Sequence, residues 1–134
     1  ICPDDHPLSK QAGPVPIENT LDYPHVSMPS SASVRQYIDA DLHSKGLYFA
    51  PVFEVDHIAT IGALVSAGLG ISALPETAVS LLQAGRLVQI PLSSPGIQRP
   101  LGMVMRRHAP RSSAAKALEA LIRASLHNLA SHSS

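Results

Sequence analysis

The sequence predicts an α/β domain built on a mostly parallel sheet, and three observations carry that expectation. Apolar runs of strand length alternate with apolar stripes at helical spacing through most of the 134 residues. A composition of 45% hydrophobic and 15% charged residues can fill a core and is too apolar for general disorder. Finally, Gly68 and Gly70 divide a long uncharged run into a helix and a buried strand. Strands alternating with helices imply parallel pairing, with helices covering both faces of the sheet.

The first twenty residues carry Pro3, Pro7, Pro14 and Pro16 and read as an extended connector. Tyr23 to Met28 is the first strand, closed by Pro29. Ser30, Ser31 and Ser33 offer oxygens to cap a helix whose face is Val34, Tyr37, Ile38 and Leu42, with Gly46 as its stop. Phe49 to Val55 is a strand rich in aromatic and β-branched residues. Asp56 can cap the next helix, with Ile58, Ile61, Leu64 and Val65 on its buried side and Gly68 at its end. Ile71 to Leu74 is a short apolar strand closed by Pro75, Glu76 to Ala84 a helix, and Leu87 to Leu92 a strand. Ser93 to Gly96 turns the chain into a strand from Arg99 to Arg107. From Ser112 or Ser113 runs the strongest helix, with Leu118, Leu121, Ile122, Leu126 and Leu129 in one stripe. From His127 the chain reads as a fraying polar tail.

Several function classes are disfavoured. Trp is absent and aromatics are 4%, too few for stacking platforms. The formal net charge is zero, yet it is uneven. Before Gly96 four basic residues face nine acids; from Ile97 six basic residues face Glu119 alone. Without aromatic or glycine interleaving, that basic end is a weak nucleic-acid signal. A single cysteine, Cys2, excludes an internal disulfide and a cysteine-based zinc site and fits a reducing compartment. Ile58 to Pro75 is uncharged over eighteen residues, but its glycines, Thr60, Ser66 and Ser72 argue against a membrane span. No signal peptide is visible.

The chemistry-bearing motifs are few. Gly68-Leu69-Gly70-Ile71-Ser72-Ala73 fits a relaxed dinucleotide fingerprint, but it follows a helix and opens a strand, the reverse of what a pyrophosphate needs. None of the seven histidines pairs at metal-ligand spacing, and no serine sits in a nucleophile elbow. No metal, cofactor or catalytic residue is expected. The best functional feature is Met28-Pro29-Ser30-Ser31-Ala32-Ser33, a strand end running into a hydroxyl-rich helix start. Ligands settle at such edges of open α/β sheets, and the helix N–H groups favour a carboxylate. Glu54-Val55-Asp56-His57, leading to Thr60, is a second edge of this kind. Plain N-capping is the competing explanation for any one serine.

The run from Phe53 to Glu76, and above all Leu64-Val65-Ser66-Ala67-Gly68-Leu69-Gly70-Ile71-Ser72-Ala73-Leu74-Pro75-Glu76, closely resembles the effector-binding domain of LysR-type transcriptional regulators. Cys2-Pro3-Asp4-Asp5-His6-Pro7-Leu8 and Arg86 to Leu92 resemble two further family motifs in the expected order, and the helix after Pro110 fits too. The resemblance implies a Rossmann-like, periplasmic-binding-protein-like (type 2) fold, two subdomains joined by crossover strands around an effector cleft. Residues 11–97 then correspond to the second subdomain, and 1–10 with 98–134 to the crossovers and closing helix of an incomplete first one. Carried over, Pro29, Ser30 and Ser31 would face the effector from one loop, His57 and Thr60 from another. The resemblance also implies a cytoplasmic homodimer or homotetramer that meets DNA only through an N-terminal helix-turn-helix outside this sequence. A periplasmic solute-binding protein would share the fold, so a signal peptide or a helix-turn-helix upstream separates the two readings. An enzyme fragment of Rossmann type would need a glycine-rich loop after a strand, and none is present.

Overall fold

The computed structural model describes residues 1–82, 85–94, 97, 100, 102–105, 110 and 112–131, with backbone alone for 126–131. In chain order the elements are β1 (Cys2–Pro3), β2 (Val26–Ser27), α1 (Ser33–Ser44), β3 (Phe53–Glu54), α2 (Ile58–Ser66), α3 (Glu76–Val79), β4 (Leu87–Val88) and α4 (Ser113–Ser131). Short 3-10 turns lie at Pro7–Lys10 and Ile17–Thr20. The chain forms two compact units, Ile1–Pro100 and Leu101–Ser134.

In the first unit, β2 pairs in parallel with β3, Val26 opposite Phe53 and Ser27 opposite Glu54. On its other side His25 forms a parallel bridge with Ile71. Val15 and Leu92 form another parallel bridge, and only the β1–β4 pairing among the described residues is antiparallel. The mostly parallel pairing expected from the sequence is therefore present.

The helix-to-strand step is built as the glycines require. α2 stops at Ser66; Gly68 N–H donates to Val65 O at 2.9 Å and Leu69 N–H to Leu64 O at 3.1 Å. That bond pair is a Schellman cap, which needs the positive φ of 77° that Gly68 adopts. Gly70, at φ 154°, lets the chain pass against β2: a Cβ there would lie 2.5 Å from Pro24 O. Ile71 N–H then donates to Pro24 O, and Val26 N–H to Ile71 O. α1 ends the same way at Gly46, where Leu47 N–H reaches Leu42 O at 2.9 Å.

Three apolar clusters form the core. Ile38 and Leu42 of α1 meet Ile17, with Ala73 packed against them; Ile61 and Val65 of α2 meet Val26, with Leu74 packed against them. Successive residues of an extended segment face opposite sides, so Ala73 and Leu74 place α1 and α2 on opposite faces of the sheet. Cys2, Leu8, Val15 and Ile71 make the third cluster.

Several elements differ from expectation. The first twenty residues are no mere connector: Cys2, Leu8, Val15 and Ile17 are buried. Single apolar residues between prolines leave no periodic signal, yet 3-10 turns, one starting at Pro7, turn them inward. The strands expected over Tyr23–Met28, Phe49–Val55 and Leu87–Leu92 contract to two residues each, extended by bridges at His25 and Leu92. Pro24, Pro51 and Pro91 lack the N–H that a longer ladder needs. Ile71–Leu74 pairs as a bridge at Ile71, with Ser72 N–H donating to Ile1 O. The helix expected over Glu76–Ala84 has α-helical geometry only to Val79; Gln83 and Ala84 lie outside the described residues. So do Pro95 and Gly96 of the expected turn and Arg99, Leu101, Arg106 and Arg107 of the following strand, while Gly102–Met105 belong to no strand element.

In the second unit, α4 starts where Ser112 Oγ accepts from Ala115 N–H at 3.2 Å. It continues to Ser131, past the fraying expected from His127. Leu118, Leu121 and Ile122 are exposed, and the side chains of Leu126 and Leu129 lie outside the described residues.

Candidate functional site

Parallel neighbours end at the same edge of a sheet. The Val26–Phe53 and Ser27–Glu54 register therefore brings the segments after β2 and β3 out side by side. The first, Met28 to Ala32, is drawn into a turn by Ala32 N–H donating to Pro29 O at 2.9 Å, and then enters α1. The second, Val55 to His57, is tied to β2 by Val55 N–H donating to Ser27 O at 3.0 Å, and enters α2. All five residues expected to face a ligand lie along this edge: Pro29 half-buried, Ser30, Ser31, His57 and Thr60 exposed.

The capping expectations are corrected. The N-cap of α1 is Ala32 and that of α2 is His57, and neither helix has a side-chain cap. Ser30 and Ser31 thus do not cap α1, and Asp56 does not cap α2. Neither first turn contains an acidic residue. Both helices turn their N-termini, the positive ends of the helix dipoles, toward the same edge. Such an edge can accept an anion by backbone hydrogen bonds, with hydroxyls alongside for orientation.

Arg35 is the residue that the sequence reading missed. It belongs to α1, is 6% exposed and stands among the core-facing residues Ile38 and Leu42. Its Nε donates to Asp39 Oδ1 at 2.8 Å; one terminal nitrogen donates to Glu54 Oε1 at 2.6 Å and to Met28 O at 3.3 Å. The guanidinium carbon lies 4.8 Å from the centre of the Phe49 ring. Burial alone would make the guanidinium less basic; the hydrogen bonds it donates to Asp39 and Glu54, with the attraction of their charges, outweigh it and raise its pKa. A base at i, with apolar residues at i+3 and i+7 on the same helix face, was the available signal.

His25 is buried on β2's approach, with Nε2 2.9 Å from Thr20 O and its ring edge-on to Phe49. Burial lowers its pKa, as expected of an ordinary hydrogen-bonded histidine. A recess of about 360 Å³ opens beside the C-terminal half of α1, lined by Asp39, His43, Tyr48 and Phe49 among others, and contains none of the five expected site residues. No group of three or more metal-ligating side chains occurs among the described residues, and no described helix is long and apolar enough to cross a membrane. Gly68–Ala73 does leave a helix and enter extended backbone, so it presents no helix N-terminus to a pyrophosphate.

These features are those of a ligand-binding α/β domain. Residues 1–127 match the LysR substrate binding domain, and the chain belongs to that family. It is 37% identical over 121 residues to the HTH-type transcriptional regulator YbhD of Escherichia coli, covering 90% of this chain and 38% of that protein. Among solved structures it is similar to the BenM effector binding domain with its effector benzoate, at 28% identity and a TM-score of 0.60, over 70% of this chain and 43% of that one. The effector binding domain of QuiR in complex with shikimate has the same fold, with a TM-score of 0.61 at 18% identity, over 88% of this chain and 55% of that one. The fold is thus the periplasmic-binding-protein-like type 2 α/β fold. The chain spans little more than a third of the length of YbhD.

Proposed function

We propose that this chain is the effector-sensing part of a cytoplasmic bacterial transcriptional regulator, that it binds a small carboxylate, and that it catalyses no reaction. The observation that carries this reading is the pair of helix N-termini, neither with an acidic residue in its first turn, at the adjacent ends of β2 and β3. Pro29, Ser30 and Ser31 would line one side of the ligand and His57 and Thr60 another. Benzoate, the effector of the similar BenM domain, has the carboxylate chemistry that such an edge accepts. In this reading residues 11–97 are the second of two subdomains, and 1–10 with 98–134 are crossovers and the closing helix of the first. The exposed stripe of Leu118, Leu121 and Ile122 would pack within that first subdomain. Effector binding would change the angle between subdomains and so the spacing of helix-turn-helix modules in a homodimer or homotetramer on DNA.

The test is a melting-temperature screen of the chain against benzoate and other small mono- and dicarboxylates. A binder present at a hundred times its Kd adds about 2.7 kcal/mol of stability and raises the melting temperature. Ser31→Ala and Thr60→Ala should each weaken that binder by roughly fivefold to tenfold, the worth of one hydrogen bond. A panel that leaves the melting temperature unmoved, or a binder indifferent to both substitutions, would overturn the reading.

A further inference from the structure

We infer that Arg35 is the positioning residue of the effector edge, holding its two ligand-facing segments at a fixed separation without touching the ligand. The inference rests on the site assignment above. Arg35 donates to Met28 O, the last residue before Pro29-Ser30-Ser31, and to Glu54, two residues before Asp56-His57. One planar guanidinium therefore joins the exits of both segments. Asp39 holds it from the next turn of α1, and the Phe49 ring lies against it. Its side chain is 8% exposed and its charge is balanced by two carboxylates, so it has little capacity left to bind an incoming anion directly.

The geometry also explains why arginine is needed. The bonds to Asp39 and to Glu54 leave from different nitrogens of the fork. Lysine has a single point charge and cannot span both carboxylates and the Met28 carbonyl with the same fixed geometry. The backbone ladder alone ties the two segments by few bonds, since β2 and β3 are two residues long. Side-chain clamping then sets how far apart the two helix N-termini stand, and with it the size of carboxylate the edge accepts.

Amide hydrogen exchange followed by NMR in Arg35→Lys and Glu54→Gln tests the clamp without any ligand. The reporters are the amides of Ala32 (bonded to Pro29 O) and Val55 (bonded to Ser27 O), one in each segment. The references are Val26 and Ile71, bonded across the other side of β2. Both variants should exchange about tenfold faster at the reporters while the references keep the wild-type rate. Glu54→Gln is nearly isosteric and removes the charge of an exposed partner, so it keeps the fold if Arg35→Lys does not. Equal acceleration at all four amides would make Arg35 a general stabiliser, and unchanged reporters would show that it clamps nothing; either result overturns the inference. Failure of the site assignment itself would show differently, as wild-type chain indifferent to the carboxylate panel.

Discussion

His25 must carry its proton on Nε2, because the Thr20 carbonyl 2.9 Å away can only accept. Nδ1 is buried without a partner. Protonating it would place a charge in the core, and burial accordingly holds the folded pKa below the ordinary value of 6.5. Between that lowered value and the ordinary one the unfolded chain binds the proton and the folded chain does not, so stability rises with pH across this window. It is complete above the ordinary histidine value and is lost on acidification below it. Denaturant midpoints measured from about pH 7.5 to pH 5 should fall, and His25→Gln, which keeps a donor for Thr20 O, should flatten the curve. The burial of His6 lowers its pKa in the same direction, so some slope should survive that substitution. Two glycines make a sharper contrast. Gly70→Ala puts a methyl 2.5 Å from the Pro24 carbonyl at a left-handed φ and should cost about 2 kcal/mol or more. Gly62→Ala meets only the end of the Leu82 side chain, at 2.8 Å, and gains helix propensity of roughly 1 kcal/mol. Its net effect in a melting experiment should stay within about 1 kcal/mol of zero.

At the scale of elements, α1 and α2 should be the helices most sensitive to truncation. Ile61 and Val65 are fully buried against Val26, so Ile61→Ala should lose about 3 kcal/mol through the cavity it leaves. The exposed Leu118→Ala in α4 should shift the midpoint by less than about 0.5 kcal/mol in this chain. Helices were the legible elements because apolar spacing and glycine stops agree: α1 and α2 both end in Schellman caps at the glycines the pattern marks. Strands were legible in place and direction but not in length, because prolines cut the ladders that β-branched residues suggest. Their caps were not legible, since a serine or aspartate near a helix start need not turn its oxygen inward. Arg35 escaped because its role depends on Met28 and Glu54, which only the parallel register brings together.

For the whole molecule, family and fold were readable because the Leu64–Glu76 segment encodes one continuous piece of geometry. Its helix, its glycine cap and its close-passing extended segment, bridged at Ile71, are all present. The buried role of residues 1–20 was not readable, because its contacts to β4 and to Leu92 join distant parts of the chain. The edge shared by α1 and α2 is a consequence of that fold, and binding there is the claim on which the functional account depends. The most direct measurement is chemical-shift mapping of the chain during titration with benzoate and other small carboxylates. The account predicts that the largest changes gather at the amides of Ser30 to Val34 and His57 to Ile61, while those of the recess beside Tyr48 stay still. Changes centred on the recess, or no saturable change with any member of the panel, would contradict it.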